Sequence, residues 1–191
     1  YGNPLARLGY ELFKEGKIEI EGMPVGQSSL LGEYISPRRA KKKYNSPQGI
    51  IRYIQESKFD KYGKASALTT LVHELTHAGA DVIETNERAK VKDIDIANEY
   101  AVEGRTDLTV PGVNPYGNID YEEGVVRAGD ILLEGRAAGG ENLSGGATLD
   151  NYLGDSPYGS MGNTPENKKL LKQRYLDLSK EAQNILDQRG I

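Results

Sequence analysis

Leu71-Val72-His73-Glu74-Leu75-Thr76-His77-Ala78-Gly79 holds both histidines of the chain, four residues apart, with a glutamate directly after the first. On an α-helix, residues i and i+4 share a face with Cβ atoms roughly 5–6 Å apart. Two imidazoles so placed can converge on one ion at the usual metal–nitrogen distance of about 2.0–2.1 Å. Glu74 lies about 100° round from His73, off the shared ligand face but well placed to hold a water on the ion. It is the candidate general base.

The flanking residues predict that this stretch is helical. From Ser66 onward, Leu68, Leu71, Val72, Leu75, Val82 and Ile83 recur at spacings of three, four and seven, the pattern of a helix with one buried stripe. No proline occurs between Gln48 and Val110. The competing reading is a pair of histidines on an ordinary amphipathic helix, but Glu74 and the uncharged residues around the histidines favour a metal site.

Composition narrows the rest. With 191 residues, 37% hydrophobic and 27% charged, the chain is expected to form one domain, residues 1–191, with a sizeable core. A net charge of −4 gives no case for general nucleic-acid binding. No apolar run is long enough to span a membrane. Tyr1-Gly2-Asn3-Pro4 lacks Met and an apolar leader, as expected of a trimmed chain or of a mature or excised piece of a longer protein. Zero cysteines exclude disulfides, thiol nucleophiles and cysteine-based zinc fingers. Twelve tyrosines against two phenylalanines suit peptide-contacting surfaces, although tyrosine also serves as half-buried packing.

Along the chain, Leu5 to Phe13 has helical spacing. Lys17 to Glu21 alternates as a strand, and Leu30 to Ile35 and Ile50 to Ile54 are further strand candidates. Either Lys17–Glu21 or Ile50–Ile54 is expected to be an edge beside the metal, where an extended substrate could add as a strand. Arg38-Arg39-Ala40-Lys41-Lys42-Lys43-Tyr44 is the one strongly basic run. It reads as a solvated loop or helix face, or as a grip on an acidic substrate, nucleic acid or anionic lipid. Helices are expected over Ile96–Asp107 and Tyr121–Leu133, and a lid or binding loop over Gly135–Gly162. Thr164 as N-cap with Pro165 behind it opens a closing helix whose stripe is Leu171, Tyr175, Leu178, Ala182, Ile185 and Leu186.

A catalytic zinc keeps three protein ligands and one open position. With no cysteine and no third histidine, the third ligand of such a site would be Asp or Glu. The H-E-x-x-H pattern is that of zinc metallopeptidases, and Glu103-Gly104-Arg105-Thr106-Asp107 resembles the second zinc helix of the gluzincins, whose thermolysin version reads Asn-Glu-Gly-x-Ser-Asp. That resemblance implies Glu103 as the third zinc ligand and Asp107 as the acceptor orienting a histidine. Val102 stands where the family has Asn. Glu99, one turn earlier, is a rival, as is Asp150 in Ala147–Gly154, which is similar to the Gly-Thr-x-Asp-x-x-Tyr-Gly element of the aspzincins.

The resemblance implies an α+β, zincin-like fold: a small twisted sheet with an edge strand beside the zinc helix, and a helical C-terminal part. It implies a Zn2+-dependent metalloendopeptidase acting on protein or peptide, with Glu74 moving the proton and Tyr121, Tyr152 or Tyr158 as candidate oxyanion donors. Short domains of this kind look like catalytic modules of secreted effectors and toxins, or of phage virion polyproteins, so a secreted or delivered protein is expected. The alternatives are a non-catalytic zincin-fold module of a larger assembly and a zinc hydrolase of a non-peptide amide. Retention of Glu74 argues against the first, since a structural role would need the histidines but not the base.

Overall fold

A computed structural model describes residues 2–23, 32–54, 64–90, 119–134 and 164–191. In chain order these form α1 (Pro4–Lys14), β1 (Ile18–Met23), β2 (Gly32–Ile35), α2 (Pro37–Tyr44), β3 (Gly49–Ile54), α3 (Lys64–Lys90), α4 (Ile119–Glu134) and α5 (Pro165–Gln188). The class is α+β, a small three-stranded mixed sheet with mostly helical structure around it. The expected helix Ile96–Asp107 and loop Gly135–Gly162 lie outside the described residues. Among those described, no helix is long and apolar enough to cross a membrane.

Local signals explain the element ends. Asn3 caps α1 by accepting the Ala6 N–H at 3.0 Å, with Pro4 in the first turn. Ser36 and Pro37 open α2 in the same way, and Asn45, in the left-handed conformation at φ 54°, closes it. Thr164 caps α5 by accepting from Asn167, as its sequence predicts.

The sheet order is β1-β3-β2, with β1 parallel to β3 from Ile18 opposite Gly49, and β2 antiparallel to it from Gly32 opposite Tyr53. This corrects the expectation for Ile50–Ile54, which forms the central strand and not an edge. The reason is visible in its side chains. Ile50 packs on one face with Ile35 and Ala40, whereas Ile51 packs on the other with Ile18, Leu75 and Ala78, and a strand buried on both faces belongs inside a sheet. Lys17–Glu21 becomes β1 on the far edge. The edge that meets α3 at Glu74 is β2, through Gly32.

α1 crosses α3 at two glycines. A Cβ on Gly9 would run into the Leu75 backbone carbonyl, and one on Gly79 into that of Leu5. The contact is fixed further by Asn3 Nδ2, which donates to Thr76 Oγ1 at 2.9 Å while that hydroxyl donates to the Val72 carbonyl at 2.8 Å. Gly79 follows His77 by two residues, so this crossing holds the histidine helix in place. Gly79→Ala is therefore expected to destabilise the fold by about 1–3 kcal/mol through overpacking; urea unfolding checks this, and an unchanged midpoint would contradict the crossing.

The main core joins α1, α3, α4 and α5 through Leu5, Leu8, Ile83, Val125, Leu171 and Leu178. Of the stripe read from α5, Leu171, Tyr175, Leu178, Ala182 and Leu186 are buried, and Ile185 is partly so. Gly124 and Gly129 bring α4 close to Leu171 and Tyr175 of α5. Arg174 of α5 reaches Glu87 at 2.6 Å and Glu84 at 3.3 Å, pinning α5 to α3. Leu68 departs from its expected place in the α3 stripe. It is 65% exposed, because it lies in the first turns of α3, ahead of the stretch that meets the sheet and α1.

Candidate metal centre

His73 and His77 stand on one face of α3, as the four-residue spacing requires, with ring centroids 4.8 Å apart and planes at 76°. Their Nε2 atoms are 3.2 Å apart. Between them stands Glu123 of α4, with Oε1 3.2 Å from His73 Nε2 and Oε2 2.8 Å from His77 Nε2. One ligand atom from each of the three lies within 4.8 Å of the others, and the group could hold a metal ion.

The donor set and spacing fit such an ion. A tetrahedral site with metal–ligand distances of about 2.0–2.1 Å separates its ligand atoms by about 3.3–3.4 Å, and the two Nε2 atoms, 3.2 Å apart, lie just inside that. Two imidazoles and a carboxylate suit a first-row divalent metal. On its far side, His73 Nδ1 is 2.8 Å from Asp130 Oδ2. Nδ1–H donates to that carboxylate, which fixes the ring's orientation and turns Nε2 towards Glu123.

α4 supplies three groups to this site from one face: Glu123, Arg127 and Asp130, spaced four and three apart. Arg127 Nε and Nη2 each lie 2.9 Å from Glu123 Oε1, holding the carboxylate from behind. The opposite face of α4, with Val125 and Ala128, sits in the core. The two glycines against α5 thus set how deep α4 lies, and with it where Glu123 points.

Electrostatics bind the cluster without a metal. Burial by itself would lower the His73 pKa, but the Glu123 and Asp130 carboxylates outweigh it and hold that pKa well above the ordinary 6.5. Burial would raise Glu123, yet His73 and His77 hold it well below the ordinary 4.5. The signs fix a pH dependence for the metal-free chain. The His73 contribution is full below about 6.5 and lost as pH rises through its raised value; the Glu123 contribution is full above about 4.5 and lost as pH falls through its depressed value. Metal-free stability should therefore plateau between these limits and decline on both sides. An ion needs neutral imidazoles, so it should remove the alkaline decline. Urea midpoints across pH, with chelator and with added divalent metal, check this; superimposable curves would contradict the cluster.

Glu74 is 6% exposed and carries no ligand role in the cluster. Burial raises its pKa, while His73 and His77 oppose the rise. A carboxylate of raised basicity beside a metal site is suited to take a proton from water. Strand β2 crosses directly over it: a Cβ on Gly32 would lie 2.7 Å from Glu74 Oε1 and 2.6 Å from Thr70 Cγ2. Any larger residue there would have to displace the Glu74 or Thr70 side chain.

His73, Glu74 and His77 thus come together as their spacing predicts, and the third donor is a carboxylate. Among the described residues the carboxylate that joins the two histidines is Glu123, whereas the sequence reading names Glu103. Glu103, Asp107, Glu99, Asp150, Tyr152 and Tyr158 all lie outside the described residues. Tyr121 falls in α4 two residues before Glu123. Asp130 makes the histidine contact that the resemblance implied for Asp107. A signal for Glu123 did exist, since Glu123-Gly124 repeats the Glu-Gly pair of the motif applied to Glu103-Gly104, and Glu123 and Asp130 share a helical face. No family model, no curated protein and no solved structure matches the chain.

Proposed function

We propose that this chain is a zinc-dependent metallopeptidase with a zincin-like architecture, holding zinc on His73, His77 and Glu123. The observation that carries this reading is the convergence of those three donors with Glu74 buried beside them. The sheet supports it as well, because β2 offers an edge among the described residues next to Glu74. Zinc, when bound, supplies a Lewis acid that acidifies water towards a pKa of about 7 and polarises a carbonyl.

The chain's own residues do the rest. Asp130 keeps the His73 Nε2 lone pair directed into the site, and Arg127 keeps Glu123 from swinging away. Glu74 takes a proton from the water whose oxygen bonds to the scissile carbonyl carbon. As the carbon–nitrogen bond breaks, Glu74 returns that proton to the leaving amine, so the base ends as it began. An extended peptide lying along the outer edge of β2 would pass its backbone close to Glu74.

The test is elemental analysis of the purified chain together with cleavage of an unfolded protein substrate. We expect one zinc per chain, activity lost on chelation, and recovery on adding zinc back. A chain that binds no zinc even when supplied with it would end this reading.

A further inference from the structure

We propose that the outer edge of β2 and helix α2 together form a docking surface for an extended peptide with acidic residues on the N-terminal side of the segment that lies at Glu74. This names a substrate class for the site and rests on the peptidase reading above. The starting observation is the concentration of positive charge on one short helix. α2 spans eight residues and carries Arg38, Arg39, Lys41, Lys42 and Lys43, all exposed, while only Ala40 is buried.

Lys41, Lys42 and Lys43 lie in the last turn, where the helix dipole favours cations, but the two arginines and the four-residue spacings work against the helix. Arg38 and Arg39 sit in the first turn, where the helix dipole disfavours cations, and no acidic residue is there to offset them. Arg38 and Lys42, and Arg39 and Lys43, are like charges four residues apart, which repel. None of the five has a carboxylate partner among the described residues. On the sheet, Glu21 and Glu33 are paired with Arg52, whose guanidinium also stacks over Tyr44 at 4.5 Å. Lys43 lies over the Tyr44 ring at 5.1 Å, and in a chain of net charge −4 so concentrated a positive face, without a carboxylate partner among the described residues, is suited to an anion.

Its position identifies that anion. β2 pairs only with β3 among the described residues, so its outer edge offers backbone groups to a peptide. The strand starts at Gly32 against Glu74 and ends at Ile35, and Ser36 then caps α2. The distance from the base to the basic helix is thus about three strand residues, roughly 10 Å. Antiparallel pairing is the more stable geometry. A peptide added that way runs opposite to β2, so residues about three to six positions before the one at Glu74 reach α2. A peptide backbone matches the strand edge; a phosphodiester chain does not, and the acidic remainder of this protein repels a long polyanion.

The experiment uses the full chain carrying Glu74→Gln, so that nothing is cleaved, and fluorescence anisotropy with three peptides sharing one neutral core. The first has four aspartates before the core, the second has them after it, and the third has four asparagines. We expect the first to bind about tenfold more tightly than the third, the combined strength of four exposed ion pairs. The second should show no such gain. In the variant with Arg38, Arg39, Lys41 and Lys42 all changed to Gln, checked for folding by circular dichroism, the gain should vanish.

Equal gains from both acidic peptides, no gain, or a gain that survives the four substitutions would overturn the proposal. So would tighter binding of a short single-stranded DNA or of phosphatidylserine vesicles that the same variant loses. Neither zinc nor turnover enters this readout. A zinc-loaded, active protein without the acidic preference would sink this inference alone, and a chain without zinc that still shows the preference would sink only the peptidase reading.

Discussion

Glu123→Gln is expected to weaken metal binding by more than about 100-fold, beyond what loss of an outer contact costs at such sites, while the chain stays folded. The substitution keeps the shape of the side chain and removes its charge. The two Nε2 atoms of His73 and His77 would then face a neutral amide, and the Arg127 guanidinium that grips Glu123 Oε1 would lose its carboxylate. Folding should survive, because α4 is held from its other face by Val125 and Ala128 against Leu171 and Tyr175. Metal titrations on Glu123→Gln beside Glu103→Gln give the decisive comparison. Normal binding by the first and failure of the second would return the third ligand to Glu103.

Glu74→Gln should leave metal content unchanged and lower peptide cleavage by about 10²–10⁴-fold, the range for removal of a positioned proton-transfer group. The side chain is buried under Gly32 and touches no other member of the metal cluster as a ligand, so its amide should be accommodated without moving the histidines. Burial raises its pKa, which strengthens it as a base; glutamine cannot act as one at all. Steady-state cleavage measured beside metal content tests the point. Full activity in Glu74→Gln would remove this residue from the chemistry. The two variants divide the site between them: Glu123→Gln should lose metal and activity together, and Glu74→Gln activity only.

The part of this protein that could be read from the sequence is the part that local geometry dictates. His73 and His77 share a face because a helix turns once in about 3.6 residues, and Leu71, Val72 and Leu75 mark the side of that helix that packs. Thr164-Pro165 opens α5, and the stripe from Leu171 to Leu186 shows which face it buries. Even the carboxylate nature of the third donor follows, given a metal, from the absence of cysteine and of another histidine.

Which carboxylate it is does not follow, since the chain carries 28 acidic residues and spacing cannot rank those beyond the helix. Glu123 lies 46 residues after His77 and reaches it only because Gly124 and Gly129 let α4 settle against α5. Likewise, alternation marks Lys17–Glu21 as a strand, but pairing decides its neighbours, and the double burial of Ile50 and Ile51 puts β3 in the middle of the sheet and β2 beside Glu74. The sequence by itself determined the histidine helix, the shared face of its two histidines and the closing helix, because those depend on contacts within a few residues. The tertiary structure decided the Glu123 and Asp130 contacts and the edge strand, because each is a contact between elements distant in the chain, set by packing that no local pattern encodes.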